Sequence, residues 1–141
     1  MSDRLFLDTN VLVYAYDRYA PLKQKKAQSL IAEGIRKENL FLSVQVLGEF
    51  FNVVTRHIPK PMTIEEAEEI ITTVSVLPVQ EIDLAMVKRA IATLRTYKIS
   101  YWDALIVSAA ERAGCTVILS EDLSDGQTYN EMQVHNPFGD Q

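Results

Sequence analysis

Four carboxylates are the residues of this chain best suited to chemistry: Asp8, Glu49, Asp103 and Asp122. Each falls where an apolar stretch meets a polar one. Asp8 ends the run Leu5-Phe6-Leu7 and is followed by Thr9 and Asn10. Glu49 sits among Leu47, Phe50 and Phe51, with Val46 and Val53 on its own face at helical spacing. Asp103 lies in Tyr101-Trp102-Asp103-Ala104-Leu105-Ile106, and Asp122 in Leu119-Ser120-Glu121-Asp122-Leu123. Each also has an ordinary structural explanation. Asp8 can accept from the free N–H groups of a helix start. Ser100-x-x-Asp103 has the form of a capping box. Glu49 can be a solvated acid on an amphipathic helix, and Asp122 a turn residue beside Ser124, Asp125 and Gly126. Those explanations leave uncovered the shared position of all four at strand exits and helix starts. If the four converge they repel, and some take up protons near neutral pH. A hard divalent ion removes that conflict. Oxygen donors with no Cys or His beside them select Mg²⁺ or Mn²⁺ over Zn²⁺, and such ions activate water and steady charge in phosphoryl chemistry.

The elements that would position these acids alternate. A strand is expected over residues 4–7, then a short helix over 10–16. A helix over 22–37 should carry Ala27, Leu30, Ile31 and Ile35 on one face, with Pro21 in its first turn. Leu40-Phe41-Leu42 reads as a buried strand, and Ser43 as the cap of a helix that Pro59 and Pro61 terminate. Thr63 and Glu66 open a helix to about residue 73. Val76-Leu77-Pro78-Val79 reads as an edge strand, because proline cannot donate to a ladder. Asp83 caps a helix over 84–97, and Ser100 caps another that runs to Ala113 and closes at Gly114. Residues 116–119 form the clearest buried strand, and Gln133-Val134-His135 a last short one. This alternation predicts an α/β fold with a parallel sheet and helices on both faces. All strand exits of such a sheet share one edge, where the four carboxylates should meet.

The remaining composition sets limits. The chain has 141 residues, read as one domain over 1–141, with 48% apolar residues and a net charge of -5. It carries no basic footprint for gripping phosphates, which leaves a metal-bridged contact with nucleic acid open. Arg18, Lys23, Lys25 and Lys26 form a local basic cluster, either a solvated helix face or a phosphate contact. The single Cys115 excludes an intrachain disulfide and a thiolate metal cluster, and its apolar context predicts a buried, inert thiol. Asp3, Arg4 and Asp8 interrupt any signal-peptide pattern. No stretch is long enough to span a bilayer, so a cytoplasmic setting without a membrane partner is the expectation. Tyr14, Tyr16 and Trp102 could stack bases, with core packing the expectation for each. His57 and His135 lie outside the acidic motifs.

Taken together, Leu7-Asp8-Thr9-Asn10-Val11-Leu12, the Ser43…Glu49 helix start, Tyr101-Trp102-Asp103-Ala104-Leu105-Ile106 and Leu119-Ser120-Glu121-Asp122-Leu123 resemble the motifs of the PIN domain, in order and over nearly the whole chain. Asn136-Pro137-Phe138 is similar to the usual end of bacterial PIN toxins. Within that family the chain most resembles VapC-type toxins, the ribonuclease halves of type II toxin–antitoxin modules. The resemblance implies a three-layer α/β/α sandwich with a central, mainly parallel sheet. It also implies a homodimer, a cognate antitoxin protein and an RNA substrate cleaved by metal-activated water to a 5′-phosphate and a 3′-hydroxyl. Asp8, Glu49, Asp103 and Asp122 match the quartet that holds Mg²⁺ or Mn²⁺. Thr9, Asn10 and Ser120 match the polar positions that orient it. Family members differ in whether the last loop gives one acid or two, which leaves Glu121 and Asp125 as further candidates. The helices carrying Leu12, Phe50 and Val54 are expected to flank a groove for an antitoxin segment. Two other readings stay open. One is a PIN nuclease of housekeeping RNA processing without an antitoxin. The other is a metal-dependent phosphatase or phosphoacceptor domain, although Asp8-Thr9-Asn10 lacks the second aspartate of a phosphatase loop.

Overall fold

In the computed structural model, which describes residues 3–139, the chain forms an α/β/α sandwich around one six-stranded sheet. The elements in order are β1 (Leu5–Leu7), α1 (Thr9–Tyr14), α2 (Pro21–Lys37), β2 (Leu40–Ser43), α3 (Val44–Arg56), α4 (Ile64–Val74), β3 (Val79–Gln80), α5 (Leu84–Tyr97), α6 (Tyr101–Arg112), β4 (Val117–Leu119), β5 (Thr128–Tyr129) and β6 (Met132–His135). The strand order is β3-β2-β1-β4-β6-β5. Every neighbouring pair is parallel except β5–β6. The chain builds outward from β1 to β2 and β3, then returns to place β4 on the other side of β1. The strand order therefore reverses between β1 and β4, and their exits flank the crevice where open α/β sheets bind ligands. Asp8 and Ser120 are the first residues beyond those two strands.

β1 is the middle of the core: Phe6 and Leu7 are wholly buried, and both its neighbours run parallel to it. Helix α6 is apolar nearly all round because it is buried nearly all round, from Ala104 to Ala110. Its small residues let it pack against both α5 and β2. That central position carries Asp103, in its first turn, to the sheet edge. Local capping sets the helix starts as the sequence implies. Ser43, Thr63, Asp83 and Ser100 each accept from a backbone N–H of the first turn, and Thr63 with Glu66 closes a reciprocal capping box.

Four expectations need correction. In α2 Ala27 is buried and Leu30 and Ile31 pack partly buried against the core, as that face implies, but Ile35 is exposed and Gly34 is buried instead; Gly34 is where β2 comes too close for a side chain. The edge strand β3 is only Val79–Gln80, because Leu77 donates back to the Val74 carbonyl and continues the helix end instead of pairing. The hairpin strand β5 was not foreseen: it turns into β6 through Asn130 and Glu131, both at positive φ (48° and 72°). That turn matches the twist of two-residue hairpins but lacks the glycine that would announce it. Trp102, expected in the core, is 62% exposed. Tyr14 and Tyr16 do pack edge-on, against Phe138 and Phe50. Cys115 is buried as expected, and burial pushes its thiol up to about 12.

The Gly34 contact gives a direct test of the α2–β2 packing. A Cβ at Gly34 would meet the Leu40 Cβ at 2.5 Å, an atom too close to the backbone to swing aside. Gly34→Ala should destabilise the protein by about 1–3 kcal/mol through overpacking. Gly48→Ala meets nothing within 4 Å on α3 and should be neutral or stabilise by up to about 1 kcal/mol through helix propensity. Urea midpoints of the two variants should move in opposite directions, or at least their unfolding free energies should differ by more than about 1 kcal/mol (roughly fivefold in the folding constant). Equal midpoints would contradict this packing.

Candidate functional site

Asp8 is both a helix cap and part of a site, so the two readings of its sequence context coexist. Its backbone N–H extends the β1–β4 ladder by donating to the Leu119 carbonyl at 3.0 Å. Its Oδ1 accepts from the Thr9 N–H at 2.7 Å and caps α1. Its Oδ2 accepts from the Ser120 hydroxyl at 2.7 Å and, more weakly, from Asn10 Nδ2 at 3.3 Å. The side chain is buried, with Asp8 only 6% exposed. Ser120, wholly buried, also accepts from the N–H groups of Asp122 and Leu123. One hydroxyl thereby ties the first acid to the loop that bears the last.

Glu49 reaches the same place from α3. Its Oε1 accepts from the Thr9 hydroxyl at 2.6 Å and its Oε2 from Gln45 Nε2 at 2.9 Å. Gln45 also donates to the Trp102 carbonyl at 3.1 Å, joining α3 to the start of α6. Asp103 sits in that first turn with its N–H on the Ser100 hydroxyl. Asp122 is exposed at the loop after β4. Among the described residues no hydrogen bond ends on the Asp122 carboxylate, and no ion pair involves any of the four acids.

Glu49 and Asp122 lie near enough to Asp8 and Asp103 for their charges to act on both. Burial pushes the Asp8 carboxyl up from 3.8 to about 6; the hydrogen bonds from Ser120 and the Thr9 N–H oppose this, and the charges of Glu49 and Asp122 add to it. Burial also raises Asp103, with the Ser100 contact opposing and the charges of Asp122 and Glu49 adding. Glu49 and Asp122 thus each act on both Asp8 and Asp103. Among the described residues no three acids are drawn together tightly enough to form a finished metal cage. The donor chemistry still fits a hard cation: all-oxygen groups in mutual repulsion, two of them held above the usual carboxylate range, and no cationic side chain paired with any of them.

A groove of about 480 Å³ runs from Thr9, Glu49 and Asp122 past Val13 and Val53 to His57. It is bordered by α1 and α3, the helices expected to flank it. Leu12, Phe50 and Val54, however, point into the core, at no more than 1% exposure. His57 closes the C-terminal end of α3 and lines the groove's far end. Two features escaped the sequence reading. Gln45 could have been found, since it lies one helical turn before Glu49. The contact of Lys23 with Glu121, at 2.5 Å, joins residues 98 apart and has no local signal. Lys23 is therefore not part of a free basic cluster, whereas Arg18, Lys25 and Lys26 are exposed.

A profile described as the PIN domain matches residues 5–124. No curated protein matches the chain in sequence at a significant level. Solved structures do match in fold. A toxin–antitoxin complex from Klebsiella pneumoniae superposes with a TM-score of 0.69 at 15% identity, covering 95% of this chain and 98% of that one. VapC20 from Mycobacterium tuberculosis, described as a sarcin–ricin loop cleaving toxin, gives 0.68 at 18% identity over 92% and 98% of the two chains. DNA-bound VapBC from Salmonella typhimurium gives 0.68 at 15% identity over 96% and 99%.

The buried Asp8 charge should be visible in folding stability. Its folded value, about 6, lies above the ordinary 3.8. Between about pH 4 and pH 6 the folded chain keeps a proton that the unfolded chain has released, so this group makes stability fall as pH rises. The full cost, about 3 kcal/mol, applies above about pH 6. Asp8→Asn has no such titration. In chelator-containing buffer, its unfolding free energy relative to the parent should improve by up to about 3 kcal/mol between about pH 4 and pH 8. A difference that does not change with pH would contradict the assignment of a desolvated carboxylate.

Proposed function

The chain belongs to the PIN-domain family, and from that premise we propose that it is a Mg²⁺- or Mn²⁺-dependent endoribonuclease, the toxin of a type II toxin–antitoxin module. One observation carries the nuclease reading: at the sheet edge where strand order reverses, Thr9 bridges Asp8 and Glu49, Ser120 ties Asp8 to the Asp122 loop, and Gln45 ties Glu49 to the start of the Asp103 helix, while burial first, and neighbouring charge second, raises Asp8 and Asp103. A carboxylate set under that strain, without a protein cation, is suited to a divalent ion and to phosphodiester chemistry. Family membership favours this over a phosphatase or phosphoacceptor domain. The fold neighbours, two of them described as toxin–antitoxin or VapBC assemblies and one as a toxin, support the toxin reading over housekeeping RNA processing.

In this reading Asp8 and Asp103 would hold the ion directly, Asp122 directly or through water, and Glu49 would face the attacking water. When bound, the ion supplies water activation and screening of the phosphate oxygens. Glu49 orients the water and accepts its proton; Thr9 and Gln45 fix both its oxygens, so the carboxylate is already aimed. Water oxygen bonds to phosphorus as the bond to the 3′-oxygen breaks, leaving a 5′-phosphate and a 3′-hydroxyl. Thr9, Asn10 and Ser120 hold the carboxylates in orientation. In this reading the single domain over 1–141 would act as a homodimer in the cytoplasm. An antitoxin protein would engage the groove along α1 and α3 with an amphipathic segment, placing a cationic side chain among the acids.

Asp8→Asn and Asp103→Asn keep shape and remove charge, and each should lower RNA cleavage with Mn²⁺ by at least about a hundredfold, the scale of losing a ligand-orienting or charge-stabilising group. Far-UV circular dichroism should stay unchanged. Full activity in both variants would overturn the assignment.

The same site predicts linkage between ion and fold. At about a hundred times the dissociation constant, Mn²⁺ should stabilise the parent by roughly 2.7 kcal/mol, seen as a rise in melting temperature. The double variant Asp8→Asn, Asp103→Asn should lose this response. An undiminished shift would locate the ion elsewhere.

A further inference from the structure

The loop after β4 carries two adjacent acids, Glu121 and Asp122, which occupy different environments. Both Glu121 oxygens are committed: Oε1 accepts from the Tyr14 hydroxyl at 2.8 Å and Oε2 from Lys23 Nζ at 2.5 Å. Lys23 also donates to the Tyr14 hydroxyl at 3.2 Å. Its ammonium lies 4.7 Å from the Tyr14 ring centre and 5.6 Å from that of Phe138, two rings packed edge-on. The backbone of Glu121 is held as well, its N–H donating to Asn10 Oδ1 at 2.9 Å. By contrast, among the described residues no hydrogen bond ends on the Asp122 carboxylate. Asp125 is engaged elsewhere, accepting from the Asn136 N–H at 2.9 Å.

We propose that Lys23 and Tyr14 withdraw the Glu121 carboxylate from the ion-binding set and use it as a positioning arm that fixes the Ser120–Asp122 loop against α1 and α2. This rests on the metal-dependent reading above and deepens it: the loop offers one acid to the ion, Asp122. For Glu121 to act as a ligand it would have to leave an ammonium at hydrogen-bonding distance, in a contact that is charge-assisted and partly buried at both ends, and would leave that ammonium beside two aromatic rings without its carboxylate. Consecutive side chains thus divide the work. Ser120 holds Asp8, Glu121 anchors the loop, and Asp122 is left for the cation. Lys23 is taken from any phosphate-binding role, and the site keeps its net negative charge without a lysine among the quartet.

The test uses Lys23→Met, Glu121→Gln and the paired exchange Lys23→Glu with Glu121→Lys in the full chain. Two readouts are taken: Mn²⁺ affinity by calorimetry, and amide hydrogen exchange over residues 120–123. Each single variant should weaken Mn²⁺ binding roughly tenfold, as loss of an orienting partner does, and should speed exchange in the loop. The paired exchange should restore most of both, because it rebuilds the ion pair. If Glu121 is a ligand, Lys23→Met should bind Mn²⁺ at least as tightly as the parent, and the paired exchange should abolish binding; that result overturns the proposal. Unchanged loop exchange in both single variants also overturns it. If the parent binds no Mn²⁺, or Asp8→Asn and Asp103→Asn do not weaken binding, the nuclease reading falls, while loop exchange still decides whether Lys23 and Glu121 position the loop.

Discussion

A carboxylate placed at the end of a central, buried strand must take most of its solvation from the protein, because little of it is exposed to water. Asp8 is in that position, and much of the surrounding structure supplies its hydrogen bonds. The β1–β4 pairing that buries it also brings Ser120 into range, since the Asp8 N–H and the Leu119 carbonyl extend the same ladder. The Ser120 hydroxyl then donates to Asp8 while accepting from Asp122 and Leu123, which uses the full capacity of one hydroxyl. Thr9 divides its groups similarly, with its N–H on Asp8 and its hydroxyl on Glu49. Sheet register, the start of α1 and the course of the loop after β4 are therefore consequences of one buried oxygen pair as much as of hydrophobic packing.

These contacts do not remove the cost of the charge. The hydrogen bonds pull Asp8 down, yet burial and the neighbouring acids leave it near 6. The helix starts help only in part. Asp8 caps a helix of six residues, and Asp103 lies in the first turn of one of twelve; such placements contribute about 0.3–2 kcal/mol. Glu49 is in the second turn of α3 and gains little from that field, and Asp122 precedes no helix. The available local compensation is smaller than the penalty of about 3 kcal/mol carried by Asp8 alone. The fold holds this strain at the site and offsets it in the core.

How much of this was legible in the sequence follows from how local each determinant is. Helix caps were readable because capping spans three or four residues, and Ser43, Thr63, Asp83 and Ser100 all hold their places. The four acids were readable because each interrupts an apolar pattern and the alternation of elements predicts a common edge. Properties decided by tertiary neighbours were not. Whether Gly34 or Ile35 faces β2 depends on how closely α2 approaches Leu40. Trp102 looks like core in sequence because its neighbours Ala104, Leu105 and Ile106 are, but the turn of α6 points it outward. The helices that flank the groove follow from the sequence, but the residues that line it, Val13 and Val53 and not Leu12, Phe50 and Val54, depend on how α1 and α3 pack. Which of two adjacent acids is tied up by a lysine a hundred positions away had no sequence signal at all.

That last point bears on how such a site can be built. A chain that needs a cluster of negative charge open to a cation must keep its own cations away from it. Here the described ion pairs all involve other acids: Glu33, Asp83, Glu111 and Glu121. Lys23 is close enough to the loop after β4 to reach Glu121, and an unrestrained four-carbon stem could swing toward neighbouring carboxylates. Two rings, a tyrosine hydroxyl and one carboxylate hold it instead. Neutralising Glu121 and restraining Lys23 are thus one arrangement with two effects. It fixes the loop that carries Asp122, and it leaves the repulsion among Asp8, Glu49, Asp103 and Asp122 to be relieved from outside the chain.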